Sequence, residues 1–418
     1  MKKYIVTFIL LFSFTLSSCG KSISKKAVNL MEDIPRSDLV PVEISSLNKD
    51  GGAKKEEITD FALKLLSENF EKENILISPL SIVSALAMVA NGANNQTLSE
   101  MEKVLNSDIQ ELNDYLKAYK AYLPNNKKYE VSLANSIWFK DDKNLNVKEE
   151  FLNINKDYYD ASVYKTPFDK KAKDDINAWV NLKTKGMIET LLAEPPSEDT
   201  IMYLINALSF DAEWEDIYHE TQIYPGEFNV ENGNKEPAEF MSSSEHIYLE
   251  NENVTGFMKP YKDSKYAFVA MLPRENIQMA DLLKSIEAKD ILSLIENKKD
   301  NKVYTEIPKF SVDYSTMLND SLQSLGIINA FDSEKADFTG IGKYNDKNIY
   351  ISRVIHKTKI EVNEKGTKAG AVTAVEMDTT SAPIEEPKEV VLDRPFIYMI
   401  VDTEENLPLF IGSLMNVN

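Results

Sequence analysis

The sequence predicts a single large α+β domain, with helices in its first half and strands in its second. Two observations predict that order. Apolar residues recur at helical spacing as far as Gly186. From Ile201 onward they form continuous or alternating runs of strand length. A third observation, the lack of any internal repeat or linker-like break in residues 53–418, favours one domain over the two or three that the length would allow.

The N-terminus reads as targeting sequence. Lys2 and Lys3 precede residues 4–16 (YIVTFILLFSFTL), an apolar run too short to cross a bilayer as a helix. Ser17 and Ser18 then lead to Cys19, the only cysteine of the chain. The run Leu16-Ser17-Ser18-Cys19 resembles the bacterial lipobox, which implies cleavage after residue 18 and acylation of Cys19. Several acyl chains on one residue anchor stably where a single chain binds only marginally. With no second cysteine an internal disulfide is excluded, so an exported fold has to rest on its core. Residues 19–52 show no sustained periodicity and end in Gly51-Gly52, the pattern of a flexible tether.

The domain is expected to begin at residue 53. Ile58, Phe61, Ala62, Leu65, Leu66 and Phe70 share one helical face. Ser78-Pro79 opens a helix that is apolar nearly all round, stopped by Asn91-Gly92. Too short for a membrane, such a helix belongs inside a domain. Thr97-Leu98-Ser99-Glu100 has the spacing of a capping box. Ile176, Trp179 and Val180 mark a further amphipathic helix, closed by Gly186. Residues 201–210 (IMYLINALSF) read as a buried strand, and Val303, Thr305 and Ile307 alternate. Val354, His356, Thr358, Ile360 and Val362 are expected to face inward, against outward Ile355, Lys357, Lys359 and Glu361. Residues 396–400 and 409–414 give two final apolar strands.

Composition and motifs argue against several functions. A net charge of −20 disfavours nucleic acid, which needs clustered Lys and Arg. There are three histidines, His219, His246 and His356, and no G-x-S-x-G elbow. His219-Glu220 lacks the second histidine of a zinc-protease motif, and Gly340-Ile341-Gly342 lacks the third glycine of a phosphate loop. Asp332, Glu334 and Asp337 match no metal-binding loop and read as a solvated turn. Nothing signals an enzyme or a cofactor.

Several segments together resemble the serpin family over roughly residues 55–418. Residues 74–93 (NILISPLSIVSALAMVANGA) look like its helix beneath the central sheet, and residues 204–214 (LINALSFDAEW) like its buried strand and following Trp. Ile307-Pro308-Lys309-Phe310, Leu325-Gly326-Ile327, residues 331–340 (FDSEKADFTG), Asp393-Arg394-Pro395-Phe396 and Pro408-Leu409-Phe410-Ile411-Gly412 resemble its second-half signatures. The resemblance implies three β-sheets, about eight or nine helices and an exposed reactive-centre loop at about 364–392. It also implies a mechanism: a protease attacks the loop and forms an acyl-enzyme, and the freed loop inserts into the central sheet, trapping the protease in a covalent 1:1 complex. The expected protein is a monomer without a cofactor.

The residues of the loop can be read directly. Glu364, Lys365, Gly366, Thr367, Lys368, Ala369, Gly370, Ala371 and Val372 resemble the family hinge. Alternate side chains of a strand face opposite ways. One set is Thr367, Ala369, Ala371, Thr373, Val375 and Met377, all small or apolar. Every charge from residue 367 to 378 falls on the other set, which includes Lys368, Glu376 and Asp378. No proline interrupts 367–380, so each residue there can donate to a central ladder. The family's usual spacing puts the reactive bond at Thr380-Ser381, with Met377, Asp378 and Thr379 as slippage candidates. No Arg or Lys lies between Ala369 and Pro387, which disfavours trypsin-like targets. Elastase-like or subtilisin-like serine proteases fit Thr and Met, with papain-like cysteine proteases as a further class.

By the same resemblance, Ser78, Ser81, Asn206 and His356 fall in the region that controls sheet opening, and Trp214 where the loop enters. An inward His356 reads as a satisfied core residue bonded to Asn206. The leading expectation is a lipid-anchored inhibitor on the outer membrane of a Gram-negative bacterium. Whether the anchor faces the periplasm or the outside stays open, because GKSISKK after Cys19 carries no sorting signal. The competing expectations are a non-inhibitory serpin and an exported enzyme or solute-binding lipoprotein.

Overall fold

The computed structural model describes residues 23–24, 26–35, 53–123, 129–197, 199–367 and 388–417. Among them nine α-helices and three sheets of seven, nine and two strands are formed. The seven-stranded sheet is central. In chain order its strands are β1 (Val28–Asn29), β2 (Tyr129–Lys140), β3 (Ser162–Thr166), β4 (Met202–Glu213), β5 (Phe310–Met317), β6 (Arg353–Asn363) and β7 (Gly366–Thr367). In space they run β1-β3-β2-β4-β7-β6-β5. Four helices bear on this sheet or on the segments around it: α1 (Ala53–Glu68), α2 (Pro79–Ala90), α3 (Asn95–Leu105) and α4 (Lys170–Lys183).

Both faces of the central sheet are covered. Leu204, Leu208, Val354, Ile360 and Val362 join the main core with α2 and the nine-stranded sheet, whereas Trp138, Tyr203, Ile205 and Ile355 pack with Ile176, Trp179 and Val180 of α4. This is why β4 is buried without a break from Met202 to Phe210, as its continuous apolar run requires. It also corrects one alternation: Ile355, expected outward, lies against α4 and is buried. Lys357, Lys359 and Glu361 do face solvent in part. Helix α2 is buried along its whole length, with the Ser78 side chain accepting from the Ser81 N–H at its start. Burying every side of a helix suits one made of Ala, Leu, Val, Ile and Ser.

The capping box at Thr97 does not form. Helix α3 starts three residues earlier, at Asn95, with Asn94 in the cap position and no side-chain cap. Thr97 Oγ1 accepts instead from the Asp337 N–H, and Glu100 Oε2 from the N–H groups of Ile328 and Asn329. Tertiary partners thus took the groups that the local motif would use.

The tether expected over 19–52 is also corrected for the part described. Val28 and Asn29 pair antiparallel with Lys165 and Tyr164 of β3, and the Leu30 N–H donates to Val163 O. Ser24 donates through its N–H and Oγ to the two carboxylate oxygens of Asp175, at 2.6 and 2.7 Å, and Met31 is buried in the main core. The cause is the sheet: β3 is an open edge, and a covering strand satisfies its backbone groups. Replacing Met31 by Ala is expected to cost about 2–5 kcal/mol, the usual loss for a buried Met, and to lower the thermal midpoint by several degrees. An unchanged midpoint by circular dichroism would show this segment to be a loose tether after all.

Candidate sheet-opening and loop-entry site

Strand β4 pairs with β6 in parallel from Tyr203↔Arg353 to Leu208↔Thr358, and there the direct pairing stops. Above it, β7 sits between them, antiparallel to both: Thr367 is opposite Ala212 and Val362, and Gly366 opposite Glu213 and Asn363. The sheet is therefore closed below and wedged at its upper end by Gly366 and Thr367 of the hinge. Gly366 has φ +156°, and a Cβ there would stand 2.1 Å from Ala212 O, so no other residue fits this approach.

The closed half contains four of the residues singled out from the sequence. Asn206 and His356 are opposite one another across β4 and β6. Nε2 of His356 accepts from the Ser78 N–H at 3.2 Å, so its proton resides on Nδ1, which donates to Asn206 Oδ1. Ser81 Oγ reaches the same Oδ1 at 3.4 Å. All four residues are buried. Asn206 Nδ2 and the Oδ1 of Asn135, its cross-strand neighbour on β2, are buried without a hydrogen bond among the described residues. The sheet thus carries polar groups through its middle that the closed form leaves partly unsatisfied, a cost to closure.

Burial lowers the His356 pKa to about 3. Protonation would also point a second N–H at the Ser78 N–H. Because the folded value lies below the unfolded one near 6.5, this group's contribution to stability is complete above pH 6.5. It is lost as pH falls from there toward 3, since only the unfolded chain takes up the proton in that window. The thermal midpoint should fall across this range by more than in a His356→Ala variant. That variant should be less stable at neutral pH and polymerise on heating in native gels. A wild-type midpoint that is flat between pH 6.5 and 4 would contradict this assignment.

The upper half is built around Trp214. Its ring stacks on Tyr261 at 4.5 Å, its Nε1–H donates to Asn363 O and its backbone N–H to Lys365 O, both at 2.9 Å. The Tyr218 N–H donates to Glu364 O at 2.9 Å. Tyr261 Oη and Thr367 Oγ1 are 2.5 Å apart, and Thr367 is fully buried. Lys309 pairs with the Glu364 carboxylate at 3.0 Å. Beneath lies a buried ion pair, Lys259–Glu245 at 2.8 Å, with the ammonium over the Tyr218 ring at 4.5 Å. Trp214, Glu364, Lys365, Gly366 and Thr367 are thus gathered at one end of the sheet, about six residues along β4 from Asn206 and His356, or roughly 20 Å. Lys368, Ala369, Gly370, Ala371, Val372, Met377, Asp378, Thr379, Thr380, Ser381 and Cys19 lie outside the described residues.

Tyr261, Lys309, Tyr218 and the Lys259–Glu245 pair were not legible as site residues. Lys309 was visible within Ile307-Pro308-Lys309-Phe310, yet its partner is 55 positions away in the chain. A lone lysine inside the apolar strand Val254–Pro260 was the one available signal for Lys259.

The fold agrees with the comparisons. The profile of the serpin (serine protease inhibitor) family matches residues 56–417. The chain belongs to the serpin family, whose members are in general protease inhibitors and not catalysts. It is 31% identical over 354 residues to a serpin-like protein of Thermococcus kodakarensis, covering 82% of this chain and 80% of that one. It is 30% identical over 374 residues to the human leukocyte elastase inhibitor, covering 85% and 97%. Among solved structures, the native state of the thermophilic serpin tengpin is 43% identical with a TM-score of 0.88, covering 94% of this chain and all of that one. The latent state of tengpin superposes with a lower TM-score of 0.77, covering 89% and 99%. The greater likeness to the native form accords with the direct pairing of β4 and β6.

Proposed function

We propose that this chain is a suicide inhibitor of endopeptidases that works by inserting its cleaved loop between β4 and β6. The observation that carries this reading is the position of β7. Gly366 and Thr367 already occupy the head of the gap, with Thr367 fully buried, so that on insertion the loop would extend from this position as a further strand. The alternation of the loop then sends Ala369, Ala371, Thr373, Val375 and Met377 inward and the charges outward. The protease nucleophile attacks the carbonyl of Thr380, the peptide bond to Ser381 breaks, and the acyl-enzyme is carried along with the inserting strand. Elastase-like or subtilisin-like serine proteases are the proposed targets, supported by the small and apolar residues near the bond and by likeness to a leukocyte elastase inhibitor. Papain-like cysteine proteases are the further class. The inhibitor acts as a monomer, anchored through acylated Cys19 at the outer membrane of a Gram-negative cell.

Incubation with a panel of such proteases should give a covalent complex that survives boiling in detergent, and cleaved protein should melt far above the intact form. Mass spectrometry of the released C-terminal peptide should place the cut within 377–381. Thr367→Arg should turn the inhibitor into a substrate, raising the number of molecules consumed per protease inactivated at least tenfold. It puts an unpaired guanidinium where Thr367 meets Tyr261, at a cost of several kcal/mol. Normal inhibition by that variant would sink the insertion mechanism. Cleavage of the wild type without any complex would make it a non-inhibitory member of the family.

A further inference from the structure

We propose that a cavity at the bare edge of β2 is a binding site for a small organic carboxylate with an amide or hydroxyl donor beside its acid group. The cavity has a volume of about 180 Å³. Its walls are the helix Ile109–Tyr122, the π-helical turn Asn155–Tyr159, residues 133–135 of β2 and the last turns of α4. A space of that size takes a molecule of about six to ten heavy atoms.

The cavity exists because the sheet is incomplete here. Strand β3 pairs with β2 only from Ser136↔Ser162 onward. On that side residues 133–135 of β2 have no strand partner among the described residues, so alternate backbone N–H and C=O groups turn toward the cavity. The chain enters β3 through the π-helical turn, a rare geometry that recurs at functional sites.

Two side-chain groups at the cavity point to a ligand. Trp179 Nε1–H and Asn135 Oδ1 are buried without a hydrogen-bond partner among the described residues. Trp179 is only 1% exposed. The other two tryptophans differ: the Trp138 indole donates to Ser136 Oγ at 2.8 Å and that of Trp214 to Asn363 O at 2.9 Å. A buried indole N–H normally finds an acceptor, and leaving it without one is costly. The two groups approach from opposite faces of the sheet. Ala134 packs with Trp179 on the α4 side, whereas Asn135 is opposite Asn206 on the α2 side. The cavity meets both by passing round the bare edge between them.

Charge selects the class of ligand. Within a chain of net charge −20, the cavity is lined by two lysines, Lys120 and Lys183, against one carboxylate, Asp160. Lys120 donates to Tyr159 O, while Lys183 is exposed and has no ion pair among the described residues. A carboxylate accepts from the Trp179 indole and pairs with Lys183, and a donor next to it serves Asn135 Oδ1. The body of the molecule then lies along the edge of β2, beside the strand that carries Asn206.

The test titrates the intact protein, labelled with ¹⁵N at its three tryptophan indoles, with N-acetylglycine, propionate and acetamide at constant ionic strength. The Trp179 resonance should move saturably with N-acetylglycine, while those of Trp138 and Trp214 stay in place. Propionate, which lacks the donor, should need about tenfold more, and acetamide, which lacks the charge, should leave the resonance unmoved. Lys183→Gln alters an exposed side chain, so the thermal midpoint without ligand should be unchanged, yet N-acetylglycine should bind about tenfold more weakly. N-acetylglycine should also raise the midpoint of the wild type by mass action, and that of Trp179→Phe should not respond. Failure of the Trp179 resonance to saturate with either acid, an equal response to acetamide, or wild-type affinity in Lys183→Gln would overturn the proposal.

Discussion

The hydrogen bond between His356 and Asn206 ties together the two strands on which everything else depends. Strands β4 and β6 are parallel neighbours far apart in sequence, and their pairing extends only from Tyr203↔Arg353 to Leu208↔Thr358. Within that short ladder sits a neutral imidazole, oriented by the first turn of α2 and bonded across the strand boundary. A buried polar link of this kind is strong while complete and costly when half broken. It holds the sheet shut with a few directional contacts, in a layer where apolar packing alone would not distinguish one strand spacing from another.

The opposite end of the sheet is arranged by different means. Aromatic stacking of Trp214 on Tyr261 makes a floor, and three backbone or ring N–H groups from Trp214 and Tyr218 grip the carbonyls of Asn363, Glu364 and Lys365. The Lys259–Glu245 pair lies under this floor, nearly excluded from water. The turn that leads into the loop is thus anchored both by its backbone and by the Glu364 carboxylate on Lys309. A closed lower half and a gripped upper turn together describe a sheet poised at one position, with the gap already started.

The strap along β3 shows how a segment without periodicity can still be structural. Val28 and Asn29 supply edge pairing, Met31 supplies one buried side chain, and Ser24 closes on a buried carboxylate. None of these is strong alone. The edge of the sheet makes them add, because its open backbone groups need partners whichever residues provide them.

Much of this molecule was determined locally. The all-apolar run after Ser78-Pro79 could only be an interior helix, the unbroken apolar stretch of β4 only a strand covered on both faces, and the inward row from Val354 to Val362 only one buried side of β6. Order of motifs was enough for the family, and with it the nearness of His356 to Asn206. Tertiary structure alone decided what depends on distant partners: that Thr97 and Glu100 serve other segments and not their own helix, that Ile355 turns to α4, that Lys309 meets Glu364, that Asp175 captures Ser24, and that Thr367 is already seated beside Tyr261. The reason is one of range. Period and propensity act over a turn or a strand, while an ion pair or an edge strand is chosen by whatever surface the folded chain brings within a few ångströms.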